Sequence, residues 1–253
     1  MILMNNSDKY MFSDFTLKHY KEIIIALKKN HTFESFTSFD KNTNFVLKRH
    51  DVDFTLENAL NLAIIESDLG VKSTFFLMLH CEFYNLLEKK NIEIVKEIHS
   101  LGHDIGLHFD AQFYNISNDE ALNDKIDFEK NILENFLGVK VEAFSFHNTT
   151  PFTMSCQDYS YGNLINTYSS YFQQNLGYCS DSNGYWRFNR MIDFIKENNN
   201  KPLQILTHPV WWTEKIDSPK LKIEKLIDNS ARIKKRFYEN ILTSFGRENI
   251  DWK

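Results

Sequence analysis

The chain has 253 residues, of which 42% are hydrophobic, and its formal net charge is −5 from 29 Lys and Arg against 34 Asp and Glu. This length suits one large α/β domain or two small ones, and the hydrophobic fraction is sufficient for a sizeable core. The acidic balance and the lack of a basic stripe in the sequence argue against a nucleic-acid-binding protein.

The cysteines and the N-terminal sequence bear on the cellular compartment. Cys81, Cys156 and Cys179 are widely spaced, which predicts neither a disulfide framework nor a CxxC metal site, but free thiols in a reducing compartment. The N-terminal stretch lacks the basic and long apolar regions of a signal peptide. No apolar run reaches the ~18 residues of a transmembrane helix. We therefore expect a cytoplasmic protein without membrane insertion.

Strand and helix patterns alternate along the chain. Residues 1–40 are expected to form a helical extension. The stretch "NFVLKRH", residues 44–50, predicts a strand. Thr55 is expected to cap a helix that runs to about Leu69 and stops at Gly70.

The same alternation continues to the C-terminus. A helix through "NIEIVKEIHS" is expected after the next strand, and another over 117–138 begins with a capping box of Ser117 and Glu120. Residues 215–253 predict a charged amphipathic helix. Further strands are predicted at 71–79, 103–109, 141–147 and 203–209.

This order of elements predicts the fold class. Strands alternating with helices imply a parallel sheet, and six or seven such units favour a (β/α) barrel over an open sheet. We predict an α/β protein in which residues 1–253 form a single barrel domain, seven-stranded and distorted. In such barrels the carboxyl ends of the strands contain the catalytic residues.

Ionisable side chains stand at the ends of five predicted strands, of which the strand over 71–79 ends near His80. Asp51 and Asp53 are two positions apart, so both side chains leave the same face, where they repel each other unless a cation lies between them or one is protonated. A carboxylate with imidazoles and one open position is a common divalent-metal catalytic site. The alternative is an ion-pair network closed by Lys48 and Arg49. The other strand-end groups are His108 and Asp110, His147, and His208.

Four stretches, "HDVD", "GVKSTFF", "GHDIGLH" and "ILTHP", occur in this order between about residues 45 and 212. Together they resemble the motifs of the polysaccharide deacetylase superfamily, the carbohydrate esterase family 4-like proteins with a chitooligosaccharide-deacetylase-type domain. The resemblance implies that Asp51 is the general base and that Asp53 and His108 bind a divalent metal, most simply zinc. It implies that His208 is the general acid that protonates the leaving amine.

The stretch "GYCSDSNGYWR" resembles a further motif of that superfamily. The resemblance implies that Asp181 orients the catalytic His208 and that Trp186 forms a wall of the substrate pocket. Other candidates for substrate contact are Arg187, which could bind a phosphate or carboxylate, and Trp211, which could stack on a sugar or base. Asp110 is a further candidate in the same region.

The chain departs from the superfamily pattern at the metal site. The two aspartates are separated by Val52 instead of being adjacent, which leaves open whether Asp51 and Asp53 exchange the base and ligand roles. The position of the second metal-binding histidine is Gln112, and an amide oxygen is a poor zinc ligand. Candidates for the third ligand are therefore His147 first, then Asp110 or Gln112. The third motif, "FHNTTPF", has Asn148 where the superfamily has an arginine that pairs with the base.

These features predict a metal-dependent amide hydrolase that removes an N-acyl group, most simply acetyl, from an amino sugar. The expected cytoplasmic location favours a small-molecule or carrier-linked amino sugar from surface-polysaccharide synthesis as the substrate. One alternative is hydrolysis of another small C–N bond, in a formamide or a cyclic ureide. The other is a non-catalytic carbohydrate-binding barrel that has lost its metal.

Overall fold

A computed structural model of the chain describes residues 5–251. The chain forms two compact units, of which the first ends at Ile216 and the second begins at Asp217. The strands are β1 (Thr32–Glu34), β2 (Phe45–Val52), β3 (Thr74–Leu77), β4 (Asp104–Phe109), β5 (Val141–Phe146), β6 (Ser160–Tyr161), β7 (Leu164–Asn166), β8 (Gly177–Ser180) and β9 (Leu203–Thr207). The helices are α1 (Asn6–Lys9), α2 (Leu17–Lys28), α3 (Leu56–Asp68), α4 (Lys89–Ser100), α5 (Asp119–Leu137), α6 (Pro151–Ser155), α7 (Ser170–Asn175), α8 (Met191–Glu197) and α9 (Pro219–Ser244).

All nine strands belong to one sheet whose order is β6-β7-β5-β4-β3-β2-β9-β8, with β1 paired to β2 beside this path. Seven strands, from β7 to β8 in that order, run parallel, and β6 pairs antiparallel with β7. A mostly parallel sheet with helices between its strands confirms the predicted α/β class. It also puts the carboxyl ends of these strands at one edge.

Side-chain contacts across the sheet require it to curl. Strands β2 and β7 are four steps apart, which would separate them by about 19 Å in a flat sheet. Arg49 of β2 nevertheless donates a hydrogen bond of 2.6 Å to the hydroxyl of Thr167, which directly follows β7. Gln204 of β9 donates to the Thr167 carbonyl at 3.3 Å. Among residues 5–251 the hydrogen-bonded order ends at β6 and β8, so the curled sheet has a gap in its wall.

Strand β2 is buried along its whole length because both of its faces are covered. On the helix side, His50 lies 3.2 Å from both carboxylate oxygens of Glu66 on α3, and the hydroxyl of Tyr20 on α2 donates to Glu66 at 2.5 Å. On the interior side lie Arg49 and Asp51. The alternation of one strand therefore divides its ionisable groups between two separate clusters.

Two glycines have conformations or contacts that a larger residue would disturb. A Cβ at Gly106 in β4 would lie 2.5 Å from the ring of Phe76 on β3, so the close packing of these strands needs glycine there. Gly138 ends α5 with a φ of 69°, the left-handed region that favours glycine at a helix C-terminus.

The structure corrects several boundaries. The segment 1–40 contains β1 as well as helices, because Thr32–Glu34 pair with Phe45–Leu47 at the start of β2. The N-cap of α5 is Asn118 instead of Ser117, and its side chain accepts a hydrogen bond from the Ala121 amide at 2.9 Å. Asparagine caps a helix as well as serine does, so the sequence alone could not separate the two. The predicted strand over 71–79 shortens to Thr74–Leu77, which is the length paired with β4.

The second unit contains α9. Ser218 caps the helix by accepting a hydrogen bond from the Leu221 amide at 3.2 Å, and Pro219 occupies the first helical turn. Within residues 5–251, no helix is both long enough and apolar enough to cross a membrane.

Candidate active site

A cavity of about 790 Å³ opens at the carboxyl ends of the parallel strands. The residues after β2, β4, β5 and β9 converge there, as expected for the catalytic edge of a β/α barrel. Of the predicted site residues, the cavity wall includes Asp51, Asp53, His108, Asp110, His147, Arg187, His208 and Trp211.

Three of these side chains bring ligand atoms together. Oxygen and nitrogen atoms of Asp53, His108 and His147 lie within 4.8 Å of one another, the arrangement needed to bind one metal ion. The Asp53 Oδ1 atom is 3.0 Å from His108 Nε2 and 3.6 Å from His147 Nδ1, and these two nitrogens are 3.2 Å apart. Among the three candidates for the third ligand, the geometry therefore places His147 with the other two.

The Asp53 carboxylate provides a test of whether this group fits a metal. Its Oδ1 atom is buried and has no hydrogen-bond partner, although two imidazole nitrogens lie close to it. Burial would raise the pKa of Asp53, but His108, His147 and His208 more than offset this and lower it below its usual range. An ionised carboxylate oxygen next to two imidazole nitrogens is the donor set that zinc and similar divalent ions prefer. The residues present fit a divalent cation.

Hydrogen bonds behind the cluster determine how His108 is oriented. Its Nδ1 atom is 2.7 Å from the hydroxyl of Ser145 on β5, and that hydroxyl donates to Asp51 at 3.3 Å. Since the serine proton is used for Asp51, the serine oxygen accepts the Nδ1 proton of His108. The lone pair of His108 Nε2 then points toward Asp53 and His147, as a metal ligand requires.

Asp51 lies beside the cluster and pairs with Arg49. An Arg49 guanidinium nitrogen donates to Asp51 Oδ2 at 2.8 Å, and the two side chains are 0% and 3% exposed. Burial would raise the pKa of Asp51, but Arg49 and, to a smaller extent, His108 and His208 lower it below its usual range. Asp51 is therefore an ionised carboxylate with a fixed direction, whereas Asp53 belongs to the cluster of ligand atoms.

On the other side of Asp53 lies His208, after the end of β9. Its Nδ1 atom is 2.6 Å from the Asp181 carboxylate, which also accepts hydrogen bonds from the His208 amide and from the indole of Trp212. The His208 Nε2 atom lies 3.8 Å from Asp53 Oδ2. Burial would lower the pKa of His208, but the Asp181 carboxylate and, to a smaller extent, Asp53 and Asp51 raise it to about 9. These carboxylates favour the protonated form of this imidazole at the cavity wall.

The turn after β5 directs His147 into the cavity. Asn148 has a φ of 44°, the left-handed region, and its side-chain amide lies 2.7 Å from His147 Nε2. With the amide oxygen turned to Nε2, Asn148 accepts the ring proton and leaves the Nδ1 lone pair of His147 for a metal. Gln112 donates a hydrogen bond to the Asn148 carbonyl at 3.0 Å. Asparagine tolerates this conformation better than most residues. Gln112 and Asn148 thus support the loop that positions His147.

The remaining predicted substrate contacts divide into two groups. Trp211, Arg187 and Asp110 line the cavity. Trp186 does not line it, because its indole packs 4.6 Å from the Phe15 ring and donates to Asp14 at 2.7 Å. Trp186 is therefore part of the packing behind the site, and the prediction of a pocket wall there is wrong.

Sequence reasoning did not assign site functions to three groups at the cavity. Arg49 was considered only as part of an ion-pair alternative, although its two-residue spacing from Asp51 places both on one face of β2. No sequence pattern indicates a role for Ser145, apart from its position two residues before His147. Tyr168 lines the cavity, and its hydroxyl accepts a hydrogen bond from Arg49 at 3.4 Å.

A second ionisable cluster lies at the cavity rim. His80 stacks on Phe113 with ring centroids 3.6 Å apart, and its Nε2 atom is 2.9 Å from the Tyr114 hydroxyl. The same nitrogen is 3.1 Å from a carboxylate oxygen of Glu129, a residue of α5 that is 1% exposed. Burial raises the pKa of Glu129 to about 8.

Comparison with known proteins gives matches among solved structures. No protein-family model matches the chain, and no curated protein matches it. The structure is similar to the peptidoglycan deacetylase PdaC from Bacillus subtilis, at 15% identity and a TM-score of 0.47, over 82% of this chain and 98% of that one. It is similar to a Streptococcus mutans CE4 esterase, at 15% identity and a TM-score of 0.46, over 79% and 84%.

A CE4 family pseudoenzyme from Bacillus anthracis also matches, at 15% identity and a TM-score of 0.44, over 75% of this chain. The match spans only 63% of the length of that pseudoenzyme.

Proposed function

We propose that this protein is a metal-dependent hydrolase that removes an N-acyl group, most simply acetyl, from an amino sugar. The observation that supports this best is the arrangement around Asp53. On one side of the three ligand atoms lies an ionised carboxylate, Asp51, and on the other lies a protonated imidazole, His208. Two titratable groups whose surroundings give them opposite protonation states suit general base and general acid catalysis.

Each of these residues has a distinct part in amide hydrolysis. Asp53, His108 and His147 would bind the cation, and a divalent ion there supplies an acidified water and polarises a carbonyl. Asp51 accepts the proton of the attacking water, because Arg49 keeps this carboxylate ionised and fixed in direction. His208 donates a proton to the departing nitrogen, and Asp181 keeps its Nε2 atom turned toward the cavity.

The shape and lining of the cavity support a sugar of limited size. Its volume of about 790 Å³ lies within the usual range of small-molecule sites. Both aromatic and polar side chains line it, and Phe54, Phe113 and Trp211 offer rings for the apolar face of a sugar. Arg187 at the same wall could bind a phosphate, which suits an amino sugar linked to a phosphate-containing carrier.

The direct test is acid release from a panel of substrates. The chain, loaded with zinc, cobalt or nickel, is incubated with N-acetylglucosamine oligomers, UDP-N-acetylglucosamine, a formylated amine and a cyclic ureide. We expect acetate from at least one N-acetyl sugar and no product with Asp51→Asn at equal metal content. A folded, metal-loaded protein that releases acid from no N-acyl sugar contradicts the proposal, and turnover of the ureide or formamide alone assigns the alternative hydrolase.

Gln112 and Asn148 favour a second candidate, a carbohydrate-binding barrel without catalysis. In the superfamily pattern these positions are a metal ligand and the arginine that pairs with the base. Sugar binding in calorimetry without hydrolysis, unchanged after metal chelation, is the result expected for that candidate. The Arg49–Asp51 pair makes it the weaker one, since Arg49 supplies a guanidinium to the base from another strand position.

A further inference from the structure

The second unit of the chain has a large exposed apolar surface. On α9 and its C-cap, five bulky apolar side chains are at least 36% exposed between residues 233 and 245: Ile233, Phe237, Tyr238, Ile241 and Phe245. At 3.6 residues per turn these side chains occupy an arc of about 140° around the helix. A stripe of this width on one face is the pattern of a helix that binds another apolar surface.

The opposite face of the same segment is basic. Arg232 lies about 170° from the centre of the apolar arc, and Lys235 and Arg236 lie about 130° from it, one on either side. Residues 217–253 contain nine basic and six acidic side chains, a net charge of +3, whereas residues 1–216 contain 20 and 28, a net charge of −8. The basic side chains are therefore concentrated in the second unit of an acidic protein.

We propose that α9 binds the surface of an anionic phospholipid membrane, lying in the plane of the interface with its apolar stripe among the acyl chains. A helix with Phe and Ile on one face and Lys and Arg on the other is the type that adsorbs in this way. Each Lys or Arg near such a surface adds to the attraction. The helix does not cross the membrane, and it is not apolar enough to do so.

Charge distinguishes this partner from a second copy of the chain. Helices that pair with their own copies combine acidic and basic residues beside the apolar seam. Between residues 229 and 247, α9 and its C-terminal flank have five basic residues and only one acidic residue, Glu239. Lys234 lies inside the apolar arc, where a helix pair would bury its ammonium group. At a membrane surface that side chain can extend to the anionic headgroups.

The test uses the full chain and flotation with lipid vesicles. We expect it to bind vesicles of phosphatidylcholine and phosphatidylglycerol, mixed at roughly three to one, at least about tenfold more strongly than pure phosphatidylcholine vesicles. Added salt should weaken this binding. Equal or absent binding to the two kinds of vesicle would overturn the proposal.

The chain offers a matched pair of control substitutions. Phe237→Ser with Phe245→Ser removes two rings, 66% and 70% exposed, and should reduce vesicle binding at least about tenfold. The control is Phe128→Ser with Phe136→Ser, which removes two rings of α5 that have the same spacing and are 52% and 50% exposed. This pair should leave vesicle binding unchanged. Equal effects of the two pairs would contradict a specific role for α9. The parent could instead fail to bind vesicles and sediment as a dimer. If Phe237→Ser with Phe245→Ser then abolishes the dimer, the partner of α9 is a second copy of the chain.

Discussion

Arg49 donates a hydrogen bond to Asp51 across 2.8 Å, and both side chains belong to the interior face of β2. The guanidinium also donates to Thr167 and lies over the ring of Tyr168, 5.0 Å from its centroid. The cationic partner of the Asp51 carboxylate thus lies two residues before it on the same strand. This arrangement explains how residues 48–51 can be buried: Arg49 pairs with Asp51 on the interior side, and Lys48 and His50 bind Thr207 and Glu66 on the helix side.

Removal of this arginine should affect both stability and catalysis. Arg49→Met leaves the Asp51 carboxylate buried without its cation, and breaking such a pair reduces the free energy of unfolding by about 3–5 kcal/mol. Urea denaturation and kcat/KM measure the two effects. The matched control is Lys48→Met, on the other face of the strand. Burial lowers the pKa of Lys48 to about 8, so its replacement removes less positive charge near neutral pH than the replacement of Arg49. Equal losses in both variants would show that Arg49 has no special relation to the base.

Ser145 should matter through His108. Ser145→Ala removes the oxygen that accepts the His108 Nδ1 proton, so the imidazole loses its fixed orientation. We expect metal affinity to fall by about 10–100-fold, measured by competition with a chromophoric chelator. Ser169→Ala is the control, since its hydroxyl is also buried but has no hydrogen-bond partner. Unchanged affinity in Ser145→Ala would reject the orienting role.

Asp181 should affect catalysis without affecting the metal. In Asp181→Asn an amide nitrogen must face either the His208 ring, the His208 amide or the Trp212 indole, all of which donate to the carboxylate. We expect kcat to fall by about 100-fold or more, by analogy with other carboxylate–histidine pairs. Metal content should match the parent. Loss of metal together with activity would show that Asp181 supports the whole site instead of His208 alone.

The rim cluster predicts a specific dependence of stability on pH. The pKa of buried Glu129 is raised to about 8 from an ordinary value of 4.5, so the folded chain retains a proton that the unfolded chain releases between these values. The contribution of Glu129 to stability is therefore complete below pH 4.5 and decreases as pH rises to about 8.

Glu129→Gln cannot ionise and should remove this dependence. The free energy of unfolding of Glu129→Gln minus that of the parent should increase with pH between 4.5 and about 8, by at most about 1.4 kcal/mol per pH unit. This upper limit corresponds to the single proton that the folded chain retains and the unfolded chain releases. Above about pH 8 this difference should stay constant. Urea midpoints from pH 5 to 9 provide the measurement, with the exposed Glu97→Gln as control. A constant difference between Glu129→Gln and the parent would rule out the raised pKa.

Much of the architecture followed from sequence periodicity. The alternation of buried strands and helices gave the α/β class and the parallel sheet, and most predicted strands differ from the observed ones by one or two residues at an end. Strands β1, β6, β7 and β8 were not predicted. They have two to four residues, and their pairing depends on partners distant in sequence, which local patterns do not reveal.

The site was predictable where residues follow strand ends and unpredictable where loops determine the contacts. Asp53, His108 and His147 meet because parallel strands end at one edge. The position of Trp186 depends on Asp14 and Phe15, which are about 170 residues earlier in the chain. No spacing rule connects them, so the resemblance alone suggested a wall that the structure does not have.

Metal content, measured by mass spectrometry on protein purified without chelator, tests the central claim most directly. The account predicts about one divalent ion per chain in the parent. It predicts loss of the ion in both His108→Ala and His147→Ala. His80→Ala removes another histidine that lines the same cavity and should retain the ion. No ion in the parent after incubation with zinc, cobalt or nickel, or full retention in His147→Ala, would contradict the account.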